Sequence, residues 1–232
     1  MSWKDPRVQR GMEALLKLRS DCISAGDTAI GWKVAFGAKA IQEKLGIGGP
    51  LVGFLTQGRA VASGGSVSLA GWTRPVAEPE VVVHIGRDLS SGADRATTQA
   101  AIAKLGPAIE LIDPERPLED VEWILSGNIV HRHVVLGPAM PAKAEDLRCR
   151  VFRRGEEFTR TDDVQAVPGN VVSLVGQVAD YLAAFGEKLS AGDIVICGSI
   201  VTPIQVEPDE ESFGCTLDPV GEVSVRFSRP SR

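Results

Sequence analysis

The 232-residue chain is poor in aromatic residues (5%), has three histidines, and carries four cysteines, Cys22, Cys149, Cys197 and Cys215, with no CxxC pair. That spacing excludes a thiolate zinc site of the common kinds and a thioredoxin-like redox motif. There is no block of basic residues and the net charge is −5, so no nucleic-acid partner and no anionic-membrane partner is expected. No apolar run reaches transmembrane length, and the opening Met1-Ser2-Trp3-Lys4-Asp5-Pro6 lacks the apolar segment of a secretion signal. A reduced, cytoplasmic setting is expected, with Cys197 a small buried hydrophobe in an apolar run. GxGxxG after a strand, a Walker A sequence and GxSxG are all missing, which leaves nucleotide-binding and serine-hydrolase readings without support.

What is present suffices for a full core: 44% hydrophobic and 24% charged residues. With 25 glycines and 14 prolines, many turns and a β-rich body are expected. The most informative stretch is Arg74 to Asp88. Its β-branched run Val81 to Ile85, closed by Gly86, reads as a strand. If that strand already includes Glu78 and Glu80, the two acids share one face at roughly 6–7 Å. Paired carboxylates beside a buried strand repel each other and resist desolvation, and a bound cation removes both problems. On this stretch alone, the solvent face of an edge strand is an equal alternative. Pro79 has no N–H for a ladder, so this end is an edge, a bulge or an irregular start. Glu110, inside the short apolar strand Ala108 to Ile112, supplies a third acid. Three carboxylates without clustered His or Cys suit a hard cation such as Mg²⁺ or Mn²⁺.

In chain order, residues 5–25 follow the helical period and stop at Gly26. Ala29 to Gly37 is a strand with one charge, Lys33, which either snorkels to the surface or serves an anionic substrate or a proton transfer. A short helix over 38–45 closes at Gly46, and Leu51 to Thr56 is a strand or a loop lining a pocket. Residues 58–71 read as a polar hairpin turning at Gly64-Gly65. Residues 96–105 read as a helix, 118–125 as a helical turn, and Asn128 to Leu136 as a strand. A hairpin is expected around Arg154-Gly155. An amphipathic helix spans Val171 to Phe185, and Ile194 to Gly198 is a strand buried on both faces. Gly221 to Phe227 alternates as a half-buried strand. Together these read as α+β, mostly β.

The ordered set Gly31-Trp32-Lys33-Val34, Leu45 to Thr56, Glu78-Pro79-Glu80-Val81 with Gly86-Arg87-Asp88-Leu89, and Ala108-Ile109-Glu110-Leu111 resembles the 2-keto-4-pentenoate hydratase branch of the fumarylacetoacetate hydrolase superfamily. Val171 to Phe185, Leu189-Ser190-Ala191-Gly192-Asp193, Gly198-Ser199 and Pro203 continue the likeness, which runs from about residue 10 to the end. The resemblance implies a mixed β-roll or sandwich with flanking helices. Residues 1–70 would form an N-terminal segment packed on a catalytic core of 71–232, best treated as one domain 1–232. It further implies Mg²⁺ or Mn²⁺ held by Glu78, Glu80 and Glu110, an active-site lysine at Lys33, a substrate-facing serine at Ser199, and a small 2-oxo or 2-hydroxydienoic acid substrate chelating the metal. A homo-oligomer is expected.

Two departures stand out. Gln57 occupies a region where the family often has an acid, and Asn128-Ile129-Val130-His131-Arg132-His133 replaces a run of small residues. His131 and His133 would share one strand face, read first as solvent-facing and second as carrying a general base, His131. Arg132 would face the other way, as surface or as a clamp on a second substrate carboxylate. His84 reads as a core histidine. Three functions follow: a hydratase of 2-hydroxy-2,4-dienoic acids, a C–C-cleaving relative (4-oxalocrotonate-type decarboxylase or acylpyruvate-type hydrolase), and a non-catalytic metal-binding protein on the same fold.

Overall fold

The first helix, α1 (Pro6–Ser24), starts where Asp5 accepts the amide of Arg7 and Pro6 takes the first helical position. Its buried stripe is Val8, Gly11, Met12 and Leu15. Strand β1 (Ala29–Ala35) leads to α2 (Lys39–Leu45), which ends at Gly46 in the left-handed conformation. Then come β2 (Leu51–Thr56), β3 (Ala60–Ala62), β4 (Gly65–Ser68) and the long β5 (Val76–Ile85). Helix α3 (Arg95–Ala101) feeds β6 (Ile102–Ile112), and α4 (Val121–Ser126) precedes β7 (His131–Leu136). The hairpin β8 (Arg148–Arg153) and β9 (Glu156–Thr161) turns at Arg154-Gly155, as expected. Helix α5 (Val171–Ala184), β10 (Ile194–Ser199), β11 (Ile204–Gln205), β12 (Ser212–Asp218) and β13 (Gly221–Ser228) complete the chain. This computed structural model describes residues 2–229.

The larger sheet runs β2-β1-β10-β5-β6-β7-β3, with β11 also on β5. The smaller sheet runs β4-β13-β12-β8-β9. Alternation places Phe213, Cys215 and Leu217 of β12 and Val223 and Val225 of β13 inward, where these strands pack over β6. The fold is α+β and mostly β, as its pattern implied. Strand β10 is buried from Ile194 to Cys197 because β1 and β5 flank it and the sheet is covered on both sides.

Several expectations are corrected. The hairpin over 58–71 is absent: the chain turns at Gly64, but β3 pairs with β7 in the larger sheet and β4 with β13 in the smaller one. The helix over 96–105 stops at Ala101, and Ile102 already extends into β6, paired with Ile85. The strand from Asn128 begins only at His131, because Asn128, Ile129 and Val130 all have φ between 52° and 53°. His84 is half-buried opposite Lys104 rather than sealed in the core.

Candidate metal and substrate site

The register of β5 and β6 sets Glu78 directly opposite Glu110, with Glu80 two residues along on the same face. Like charges at such positions are destabilising unless compensated. One carboxylate oxygen from each of the three acids lies within 4.8 Å of the others. Glu80 and Glu110 are each 1% exposed, and Glu78 opens to a cavity. The edge-strand alternative therefore fails, since β5 is interior to the sheet. The irregularity lies on the neighbouring strand β10, while Pro79 itself stays in register opposite Ile109. The β5–β10 ladder breaks between Ile196 and Ser199, Ile200 donates to the Pro79 carbonyl at 2.8 Å, and the Gly198 amide donates to Glu80 Oε2 at 2.6 Å. Gly198 sits at φ 92°, open to glycine at little cost.

The charges are arranged around Glu110. Lys33, 1% exposed on β1, donates from Nζ to Glu110 Oε1 and, at 3.4 Å, to the Ile129 carbonyl. It needs Gly53 on β2 beside it: a Cβ there would lie 2.7 Å from Asn128 Oδ1 and 3.0 Å from Lys33 Cγ. His131 Nδ1 lies 2.7 Å from the same Glu110 oxygen. Burial works to raise the Glu110 carboxyl, but Lys33 and His131 outweigh it and hold it below the ordinary carboxylate range. Burial, then the Glu110 charge, pushes Glu78 up to about 7, and Glu80 rises well above its ordinary value for the same reasons. Glu80 Oε1 is buried without a hydrogen-bond partner among the described residues. Three converging hard oxygens, one of them orphaned, fit a divalent cation such as Mg²⁺ or Mn²⁺ and would lose their mutual repulsion to it.

The left-handed turn Asn128–Val130 was not foreseen. Such a conformation costs a non-glycine residue roughly 1–2 kcal/mol, and two of these three are β-branched. Asn128 holds it: its amide accepts from the Phe54 N–H at 2.9 Å and donates to the Phe54 carbonyl at 3.0 Å. The Val130 carbonyl accepts from the Asp113 N–H at 3.1 Å. The turn aims the Ile129 carbonyl at Lys33 and brings His131 against Glu110. The solvent-face reading thus fails for His131, whose side chain is 2% exposed with Nε2 lacking a partner among the described residues. His133 is half-buried and stacked on Trp72, centroids 6.1 Å apart. Arg132 is not a free clamp: its guanidinium binds Asp113 at 3.2 Å and Glu115 at 2.9 Å. Gln57 is exposed on the turn after β2 and is not among the residues lining the cavity at the three acids.

A cavity of about 400 Å³ opens onto this cluster. Lys33, Glu78 and Ser199 line its reacting end, and the rest of its wall is overwhelmingly apolar. Ser199 Oγ has no partner among the described residues. His131 is not on this wall, but lines a separate cavity of about 320 Å³ together with Phe54, Thr56 and Asn128. One further device was missed in the sequence: Gln42 of α2 donates to the carbonyls of Phe36 and Gly37 at 2.8 and 2.9 Å, fixing the wall residue Phe36 at φ 58°.

Comparison with known proteins finds relatives both by sequence and by fold. The chain is 28% identical to 2-keto-4-pentenoate hydratase 1 of Dechloromonas aromatica, over 89% of this chain and 80% of that protein. It is 25% identical to 2-hydroxyhexa-2,4-dienoate hydratase of Comamonas testosteroni (92% and 83% covered) and 27% identical to 4-oxalocrotonate decarboxylase of Pseudomonas putida (87% and 78%). Among solved structures, 4-oxalocrotonate decarboxylase from Pseudomonas putida G7, complexed with magnesium and adipate, shares the fold with a TM-score of 0.87 at 24% identity (94% and 85% covered). Fumarylpyruvate hydrolase from Pseudomonas aeruginosa, in complex with Mn²⁺ and pyruvate, gives 0.69 at 17% identity (87% and 90%). The profile of the fumarylacetoacetate hydrolase C-terminal region matches residues 33–226, from Lys33 through all three acids and into β13. The chain belongs to the fumarylacetoacetate hydrolase family.

Proposed function

We propose that the protein is a divalent-cation-dependent hydro-lyase that converts small 2-hydroxy-2,4-dienoic acids to 4-hydroxy-2-oxo acids. The observation that carries this reading is the set of three converging carboxylates, with Glu80 Oε1 orphaned, at the reacting end of a largely apolar cavity. The relatives named as hydratases supply the reaction class. Glu78, Glu80 and Glu110 would hold Mg²⁺ or Mn²⁺, which when bound supplies Lewis-acid polarisation of a 2-oxo acid's carboxylate and C2 oxygen.

The chain's own groups do the rest. Lys33 Nζ lies between Glu110 and the cavity, where its charge attracts the substrate carboxylate and its protons can be donated to the dienolate carbon skeleton. Ser199 Oγ, without a partner among the described residues, is free to hydrogen-bond a substrate oxygen. His131, off the cavity wall and bonded to Glu110, is assigned here as a positioning residue that keeps Glu110 ionised, in place of a general base. The apolar wall excludes bulk water and leaves the electron-poor alkene, formed on ketonisation, to one added water.

C–C cleavage is the second reading, because a decarboxylase stands among the relatives at similar identity and the same charge arrangement serves it. A non-catalytic role is disfavoured by the intact set Glu78, Glu80, Glu110 and Lys33. We extend the proposal to a cytoplasmic homo-oligomer that binds neither nucleic acid nor membrane; no helix among the described residues is long and apolar enough to cross a bilayer. The test is an NMR time course with Mg²⁺ or Mn²⁺ on 2-hydroxypenta-2,4-dienoate, 4-oxalocrotonate and an acylpyruvate, each with an EDTA control. EDTA-sensitive 4-hydroxy-2-oxo acid is expected from the dienoate. CO₂ or pyruvate release in its place would move the protein to the C–C-cleaving branch.

A further inference from the structure

We infer that the acid accepted by this site is a monocarboxylate with a hydrocarbon distal end, and that dicarboxylates are rejected. The inference rests on the proposed 2-oxo acid site and deepens it. Beyond Lys33, Glu78 and Ser199, the wall is built by Phe36, Ile41, Leu118, Val130, Val167 and other apolar residues. Among the described residues, Lys33 is the single cation on this wall, and it is already committed to Glu110. Arg132, the cation that the sequence offered for a second carboxylate, is engaged by Asp113 and Glu115 and is not on the wall. Lys39 is exposed and also off the wall.

A substrate whose C1 carboxylate sits at the polar end lined by Lys33, Glu78 and Ser199 therefore extends its far end into hydrocarbon. A methyl or alkenyl tail gains from burial there. A second carboxylate would be stripped of water with no cation among the apolar residues of that wall to receive it. Volume does not make the distinction, since about 400 Å³ is at the lower end of the small-ligand range yet admits either tail. Charge does.

The experiment is calorimetric binding to the Mg²⁺-loaded full chain, without turnover. The probes are pyruvate, 2-oxobutanoate, 2-oxopentanoate, 2-oxohexanoate and 2-oxoadipate. Each added methylene is expected to tighten binding roughly fourfold, and 2-oxoadipate to bind on the order of 100-fold or more weaker than 2-oxohexanoate. Leu118→Arg, which places a cation on a partly exposed part of the wall, is expected to raise 2-oxoadipate affinity at least about tenfold and to lower that for 2-oxohexanoate. Pyruvate binding with 2-oxoadipate equal to or tighter than 2-oxohexanoate would overturn the inference and leave the 2-oxo acid site standing. Binding of none of the five would overturn the proposed function and the inference with it. An unfolded Leu118→Arg leaves the wild-type series to decide alone.

Discussion

Neutralising an acid is expected to stabilise this protein when no cation is present. Glu78 faces Glu110 across β5 and β6, and burial together with that charge raises its carboxyl from 4.5 to about 7. The folded state therefore holds the Glu78 proton more tightly than the unfolded state does. Below about pH 4.5 the group is protonated in both states and contributes nothing. As the pH rises from 4.5 through 7, folding must retain a proton or accept a buried charge, and stability falls; above 7 the loss is complete. At 1.36 kcal/mol per pKa unit, the rise amounts to about 3 kcal/mol. Glu78→Gln removes that penalty. In EDTA at pH 8 the variant should gain about 3 kcal/mol over wild type, or roughly 6–12 °C in Tm for a chain of this size. At pH 4 the two should coincide. Adding Mg²⁺ at pH 8 should reverse the order, because only wild type retains all three carboxylate charges. The assay is thermal unfolding followed by circular dichroism at both pH values, with and without the ion. A variant that is neutral or destabilised at pH 8 in EDTA would refute the argument, since the three acids would then not be held in mutual repulsion.

Other perturbations separate the parts of the site. Glu80→Ala should leave a folded protein with no calorimetrically detectable Mg²⁺ binding; retained affinity would remove Glu80 from the metal set. Lys33→Met should keep the metal but lower turnover of the dienoate about 100-fold or more, and an unchanged rate would return Lys33 to a structural role. Asn128→Ala should cost about 2–4 kcal/mol in chemical denaturation, because both polar groups of Phe54 lose their partner and a left-handed position loses a tolerant residue. If that variant is as stable as wild type, the left-handed turn is not held by Asn128.

Much of this protein was legible in its sequence because it rests on short-range rules. The helical period over residues 5–25, the β-branched run after Glu80 and the all-apolar Ile194 to Cys197 each identify an element without reference to any other. The i, i+2 spacing put Glu78 and Glu80 on one face, and the apolar context of Glu110 marked it as an acid needing an explanation. Pairing across distant segments was not legible. The same turn at Gly64 can close a hairpin or divide two sheets, and only the partners β7 and β13 decide which. Nothing local announces three consecutive left-handed residues at Asn128, Ile129 and Val130, since β-branched side chains argue against that conformation. It persists because Phe54, 74 residues earlier, satisfies both ends of the Asn128 amide. The same turn moved His131 from an expected surface to Glu110, and packing against Asp113 and Glu115 took Arg132 away from the cavity. The sequence by itself determined which acids share a strand face and need a compensating charge. Tertiary structure decided which of the remaining charges reach them, because a side chain's partners are set by the strand across the sheet and not by its neighbours along the chain.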